Sequence, residues 1–312
     1  MHISAKKIIL DCVDLALKVS SPNQTLPRHL PTDNKTAVTV ISVGKAASSM
    51  AVEFEKYWQG SIKGLAVVPY HYREPLKYFE QIEASHPIPD QMSVRAAGKV
   101  FGLTNSLNSS DTVFVLLSGG SSSLICYPAG SINFLEKQKI NCALIRSGAN
   151  INEINCVRKQ LSAIKGGRLA AHCRPAKVYT FAISDVVGDD PSIIGSGPTI
   201  ADPTTPNDAI KILDKYDITT PASISHWLKR VHPEIGNLDN KSKNYTIISS
   251  GTMMLDKVAQ FSRKSNLDII NLGELEGDAC DIAWKTATYL ATIKPKIPTL
   301  LISGGEATVK LK

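Results

Sequence analysis

The chain has 312 residues, 43% hydrophobic and 20% charged, the composition of a globular protein long enough for two domains or one large one. The net charge of +7 is scattered, with no basic run interleaved with aromatics, which argues against a nucleic-acid binder and suits a small anionic substrate. The N-terminal stretch is amphipathic and broken by Asp11 and Asp14, and no apolar run reaches membrane length, so neither a leader nor a span is expected and the cytoplasm is the expected compartment. The six cysteines form no C-x-x-C pair, which disfavours a structural zinc site, and several sit among apolar neighbours as small core residues.

Strand-like and helix-like stretches then alternate. Thr39–Ser42 reads as a strand and Lys45–Trp58 as a helix. Leu65–Pro69 is a short strand, and Asp90–Leu103 is a helix capped by Asp90. Val113–Leu117 is a continuous apolar run, the pattern of a strand buried on both faces. Residues 155–171 read as helical apart from a glycine pair, and Val178–Ile183 as a strand. Beyond Pro206 come two helices, a strand at Tyr245–Ile248, a helix from Leu255, a strand at Asp268–Ile270, a helix from Asp278 and a last strand at Thr299–Ile302. This rhythm predicts an α/β fold with a mostly parallel sheet between helix layers. A polar, turn-rich stretch at 233–244 reads as a linker.

Ligands of parallel sheets bind beyond the carboxyl ends of the strands, so the loops there carry the chemistry. Ser118, Gly119, Gly120, Ser121 and Ser122 follow the buried strand, and paired glycines with serines can form an anion-binding nest of backbone N–H groups. Ser303, Gly304, Gly305 and Glu306 repeat the pattern after the last strand. Each taken alone could equally be a tight turn. Lys45 follows Gly44 at a helix N-terminus, where a cation is unfavourable unless an anion is near. Arg158, Ser162 and Lys165, spaced by four and three, are expected on one helix face ending at Gly166; a solvated charged face is the plain alternative. Asp185, Asp189 and Asp190 crowd one loop, the chemistry of a hydrated Mg²⁺ site or a general base, or simply of a polar turn. His86 reads as a structural histidine in the rigid His86-Pro-Ile-Pro-Asp90 turn. P-loop, dinucleotide, nucleophile-elbow and H-E-x-x-H signatures are all missing, which counts against dehydrogenase, hydrolase and metalloprotease readings.

Taken together, Gly44-Lys45-Ala46, His86-Pro-x-Pro-Asp90, Leu117-Ser-Gly-Gly120, Glu153-Ile-Asn-x-Val-Arg158, Leu161-Ser-x-Ile-Lys-Gly-Gly-Arg-Leu-Ala170, Ser184-Asp-Val-Val-Gly-Asp-Asp190, Ser196-Gly-Pro-Thr199, Asp202-Pro-Thr-Thr205 and Ser303-Gly-Gly-Glu306 resemble the glycerate 2-kinase family, whose members end in a so-called MOFRL domain. The resemblance implies ATP-dependent phosphorylation of D-glycerate at the 2-hydroxyl with Mg²⁺, although some relatives carry the label hydroxypyruvate reductase. It implies a Rossmann-like, mostly parallel three-layer sandwich over residues 1–238 and a second, incomplete α/β domain over 243–312, with the site in the cleft between them. A homodimer is left open, and neither nucleic acid nor membrane is expected as a partner.

By that resemblance Lys45 is catalytic. Arg158 or Lys165 would hold the glycerate carboxylate with the Ser118–Ser121 amides, and the Ser-Gly-Gly loops would take the ATP phosphates. Asp185 would orient the hydroxyl, and Asp189 or Asp190 would hold Mg²⁺. Ser121-Ser-Ser123 replaces the family's Gly-x-Ser-Ala, and Asp278 stands where relatives tend to carry glutamate. The family's Gly-Gly-Arg-Asn segment, expected after Glu306, is not in the sequence, so a non-catalytic ligand-binding remnant is the alternative of another class.

Overall fold

A computed structural model describes residues 5–230, 244–263, 267–293 and 297–309. Most of the expected linker at 233–244, and with it the boundary between 1–238 and 243–312, lies outside the described residues. The strands are β1 (Val38–Val43), β2 (Ile62–Pro69), β3 (Phe79–Ala84), β4 (Thr112–Leu117), β5 (Lys177–Ile183), β6 (Tyr245–Ser249), β7 (Asp268–Asp278) and β8 (Thr299–Thr308). The helices are α1 (Ala5–Ser20), α2 (Pro22–Thr25), α3 (Ala47–Tyr57), α4 (Gln91–Thr104), α5 (Ser121–Leu124), α6 (Phe134–Arg146), α7 (Ile151–Gln160), α8 (Arg168–His172), α9 (Pro206–Lys215), α10 (Ala222–Leu228), α11 (Gly251–Arg263) and α12 (Ala279–Thr292). Among the described residues no helix is long and apolar enough to cross a membrane.

The fold is α/β. Six strands form one sheet in the order β3-β2-β1-β4-β5-β6, and the β1–β2, β1–β4, β2–β3 and β4–β5 pairs are parallel. β1 and β4 owe their central places to composition, since VTVISV and TVFVLL leave almost nothing to face water. Helix α3 packs on β1, β2 and β4, and α4 on β1, β2 and β3. Between α3 and β4 the rings of Phe54, Trp58 and Phe114 meet with centroids 5.2–5.3 Å apart, in stacked, tilted and edge-on pairs. Capping boxes start α4 at Asp90, α6 at Asn133, α7 at Asn150 and α9 at Thr205.

Contacts divide the chain into two compact units that do not follow chain order. The larger comprises Leu30–Ala182 and Pro191–Thr246. The smaller comprises Met1–His29, Ile183–Asp190 and Ile247–Lys312. In the smaller unit Cys12 of α1 packs with Leu255, Val258 and Ala259 of α11 and with Ile302 of β8, which realises the amphipathic pattern read at the N-terminus. There β7 and β8 pair in parallel from Asp268↔Thr299 to Asp278↔Thr308, with an irregularity between Asn271 and Glu274.

This pairing corrects one expectation. Ser303, Gly304, Gly305 and Glu306 form no turn; they lie inside β8, where Gly304, Gly305 and Glu306 pair with Glu274, Leu275 and Glu276. The sequence between Ile302 and Thr308 has too little apolar character to announce a strand, and β7 supplies the missing reason by extending as its partner.

Candidate functional site

The strand order turns at β1 and β4: β2 and β3 lie to one side, β5 and β6 to the other. A crevice opens at such a switch point, beyond the carboxyl ends of the two strands. Two loops meet there and are bonded to each other. Ser118 N–H donates to the Val43 carbonyl at 3.0 Å, Lys45 N–H to the Gly119 carbonyl at 2.8 Å, and Ala46 N–H to Ser118 Oγ at 3.0 Å. Gly44 makes the approach possible, with φ +135° and a hypothetical Cβ only 2.6 Å from the Ser118 carbonyl oxygen. Gly120, at φ +84°, lies so close to the His86 ring that a Cβ would come within 2.7 Å of it. Among the described residues the N–H groups of Gly119 and Gly120 make no hydrogen bond, so two adjacent donors remain for an anion.

Beside this loop lies a cavity of about 310 Å³, wholly within the larger unit. Its walls include His86–Pro89, Gly120, Ser122, Ser123 and three cations, Lys137, Arg158 and Lys165. Lys137 and Lys165 are 1% and 3% exposed. Lys137 Nζ donates to the Leu161 and Arg158 carbonyls at 2.7 and 3.2 Å, and Lys165 Nζ to Ser122 O and Oγ at 2.6 and 3.0 Å. The Arg158 guanidinium makes no hydrogen bond or ion pair among the described residues. Among the described residues no carboxylate lines the cavity. The nearby buried carboxylate, Asp202, is paired with Lys159 at 3.1 Å instead.

Burying charge without a counter-ion is unfavourable, and the amines respond. Desolvation pulls the Lys165 amine down to about 7 and the Lys137 amine to about 8, and each also suffers from the cations beside it. Desolvation lowers the Arg158 value too, from a starting point so high that the guanidinium stays charged. An anion in the cavity would reverse these shifts. The two lysines are protonated below their folded values and lose the proton above them, so anion affinity is highest below pH 7 and falls through pH 7–9. Calorimetric titration with D-glycerate should show the Kd rising about tenfold between pH 7 and pH 9, with proton uptake on binding near pH 8. An affinity flat across that range would contradict the assignment.

The expected helix face is corrected here. Helix α7 stops at Gln160, because the Ser162 hydroxyl accepts from the N–H groups of Ile164 and Lys165 and competes with the helical pattern. The chain then turns through Gly166 and Gly167, at φ +58° and +81°, into α8. Arg158 and Lys165 still reach one cavity, by way of that turn, whereas Ser162 lines a different one. Gly166 gives its N–H to the Ser196 carbonyl at 3.0 Å and so has no amide to offer an anion.

The remaining sequence candidates are placed as follows. Gly120 and Ser122 line the cavity, Ser118 and Gly119 lead into it, and Ser121 is 1% exposed with its hydroxyl unpartnered. The Lys45 side chain is exposed and is not part of the cavity wall. Asp185, Asp189 and Asp190 belong to the smaller unit, as do Ser303–Glu306. There Asp185 and Asp190 are exposed, whereas Asp189, at φ +55°, has a buried Oδ1 with no hydrogen-bond partner. Sequence reasoning missed Lys137 and Asn141. Their signal was the spacing Lys137, Asn141, Ile145 on α6, one helix face turned to the cavity.

Comparison with known proteins decides the family. Residues 8–229 match the family described as "Domain of unknown function (DUF4147)". The chain is 36% identical over 318 residues to the D-glycerate 2-kinase of Thermotoga maritima, covering 99% of this chain and 75% of that protein. The chain belongs to the glycerate 2-kinase family, and as an enzyme it is a kinase. The crystal structure of glycerate kinase from Thermotoga maritima superposes with a TM-score of 0.83 at 33% identity, over 98% of this chain and 75% of that one. A relative from Agrobacterium vitis, provisionally named a hydroxypyruvate reductase, is 37% identical over 99% of this chain and 72% of its own length.

Proposed function

We propose that this kinase transfers the γ-phosphoryl group of ATP to the 2-hydroxyl of D-glycerate, giving 2-phosphoglycerate and ADP. The observation that carries the reading is the cavity itself: three cations, no carboxylate, and unclaimed backbone N–H groups at the carboxyl end of β4.

In this reading Arg158, Lys137 and Lys165 hold the glycerate carboxylate and so orient the molecule. The Gly119 and Gly120 amides cradle phosphate oxygens, and Lys45 neutralises charge that builds on the transferred group. The C2 oxygen attacks the γ-phosphorus, the bond from phosphorus to the β-bridging oxygen breaks, ADP leaves, and the hydroxyl proton passes to Asp185 or to solvent. Phosphoryl transfer is largely positioning and charge stabilisation, which suits a site of cations and amides without a strong base.

The implied Mg²⁺ suits the buried, unpartnered Asp189 Oδ1, since Mg²⁺ takes one or two carboxylates and fills its shell with water and phosphate oxygens. Asp189, with Asp190 beside it, would hold the ion, which would neutralise the phosphates when bound. Among the described residues no three acidic, histidine or cysteine side chains cluster as a self-sufficient metal site. With ATP as donor, the reading is of a cytoplasmic enzyme.

The test is ADP release that depends on D-glycerate and Mg²⁺, with the product compared with authentic 2- and 3-phosphoglycerate by ³¹P NMR. ADP release without glycerate dependence, or 3-phosphoglycerate as sole product, refutes the reading. Loss of NADH absorbance with hydroxypyruvate would favour the reductase. Binding of both substrates without turnover would favour the ligand-binding remnant. Lys45→Ala should lower kcat ~10²-fold, the usual worth of one charge-stabilising donor. Its melting temperature should not change, because the side chain is exposed; an unaltered kcat removes Lys45 from the mechanism.

A further inference from the structure

We infer that Asn141 selects the acceptor, its amide oxygen accepting a hydrogen bond from the C3 hydroxyl, so that the site prefers 2,3-dihydroxy acids to 2-hydroxy acids with an apolar C3. This rests on the function proposed above and adds the residue that reads the far end of the substrate.

Asn141 stands one helical turn from Lys137 on α6, and both line the cavity. Its Oδ1 is buried and has no hydrogen-bond partner among the described residues. A buried amide oxygen left unpaired is disfavoured, so such an atom in a ligand cavity points to a donor that arrives with the ligand.

The cations and serines around the cavity already have their roles. Lys137, Arg158 and Lys165 are donors only. Ser123 Oγ donates to the Gly120 carbonyl at 3.0 Å, and Ser122 Oγ sits between Ser196 Oγ at 2.8 Å and Lys165 Nζ at 3.0 Å. A carboxylate satisfies the cations but cannot satisfy Asn141, because it has no proton to give. The ligand therefore carries a hydroxyl as well as the acid. The C2 hydroxyl is the nucleophile and loses its proton during transfer, and an amide oxygen is too weak a base to take it. The C3 hydroxyl keeps its proton from substrate to product and can stay bonded to Asn141 throughout. Helix α6 is also tied to the loop facing it, Gln138 Nε2 donating to the Pro89 carbonyl at 3.0 Å, which holds the amide in place.

D-Lactate is the probe, since it differs from D-glycerate only in lacking that hydroxyl. By calorimetry the full chain should bind D-glycerate about tenfold or more tightly than D-lactate, the worth of one hydrogen bond that would otherwise leave a buried acceptor unpaired. Asn141→Leu should bring the two affinities within about threefold of each other while leaving D-lactate binding as it was. Asn141→Thr, which restores an acceptor, should recover part of the preference. Asn141→Ala carries the same expectation as the leucine variant should that one fail to fold. A preference that survives in the leucine or alanine variant, or an equal loss for both acids, overturns the inference. A wild-type chain that fails to phosphorylate D-glycerate overturns the proposed function and this inference with it. Turnover with an unchanged affinity ratio overturns the inference alone.

Discussion

An Arg158→Gln variant keeps the melting temperature of the wild type and loses about 10²-fold or more in kcat/KM for D-glycerate, the usual consequence of removing one partner from a desolvated charge pair. The two halves of this expectation come from one fact. The guanidinium makes no hydrogen bond or ion pair among the described residues, so the fold loses nothing when it goes. It even sheds a half-buried charge that disfavours protonation of both Lys137 and Lys165. Lys165→Met makes the contrast. Lys165 Nζ serves the Ser122 and Ile125 carbonyls, so its removal strands buried acceptors and lowers stability along with activity. Kinetics and a thermal melt on both variants separate the cases. A kcat/KM for Arg158→Gln within a few-fold of wild type, or a melting temperature falling in step with activity, shows that the arginine is structural.

That asymmetry explains why parts of the molecule were legible and others were not. β1 and β4 announced themselves because central parallel strands must be apolar on both faces, and the loops beyond them could then be located by counting. β3 did not, because FEQIEA at the sheet edge interleaves buried Phe79, Ile82 and Ala84 with exposed or half-buried polar residues, two of them glutamates. Helix α6 was overlooked for a related reason: Lys137 and Asn141 are polar residues that the fold turns inward. Beyond its helical spacing, a buried lysine beside an unpartnered asparagine has no local signature, since what makes them unusual, the lack of a counter-ion for one and of a hydrogen-bond donor for the other, is a property of the assembled cavity. Ser303–Glu306 failed in the opposite direction. Its likeness to Ser118–Gly120 is real at the level of residues, but the backbone state of a Ser-Gly-Gly segment depends on whether a strand is available to pair with it. Beyond β4 the chain turns into α5, whereas along β8 the partner β7 continues and the segment stays extended.

Gly44→Ala should be the most destabilising single substitution at the switch point. An L side chain at φ +135° is strained wherever it occurs, and this one would also press to 2.6 Å from the Ser118 carbonyl oxygen and closer still to Ser118 Oγ. Backbone cannot step aside as a flexible side chain would. Ser118 N–H is held by the Val43 carbonyl, and the Gly119 carbonyl by Lys45 N–H, so relief requires the β1 and β4 loops to part. The expected loss is about 3 kcal/mol or more, equivalent to roughly 6 °C or more in melting temperature for a chain of this size. Glycerate turnover should fall as well, because the Gly119 and Gly120 amides move with Ser118. The double variant Gly44→Ala/Ser118→Ala tests where the strain lies. It removes the clash with the hydroxyl and leaves the one with the carbonyl, so it should recover less than about 1 kcal/mol of the loss, within the range of a single relieved side-chain contact. A single variant that melts within 2 °C of wild type would mean that the two loops are not held together as tightly as their hydrogen bonds imply, and the nest of amides between them would lose its structural basis.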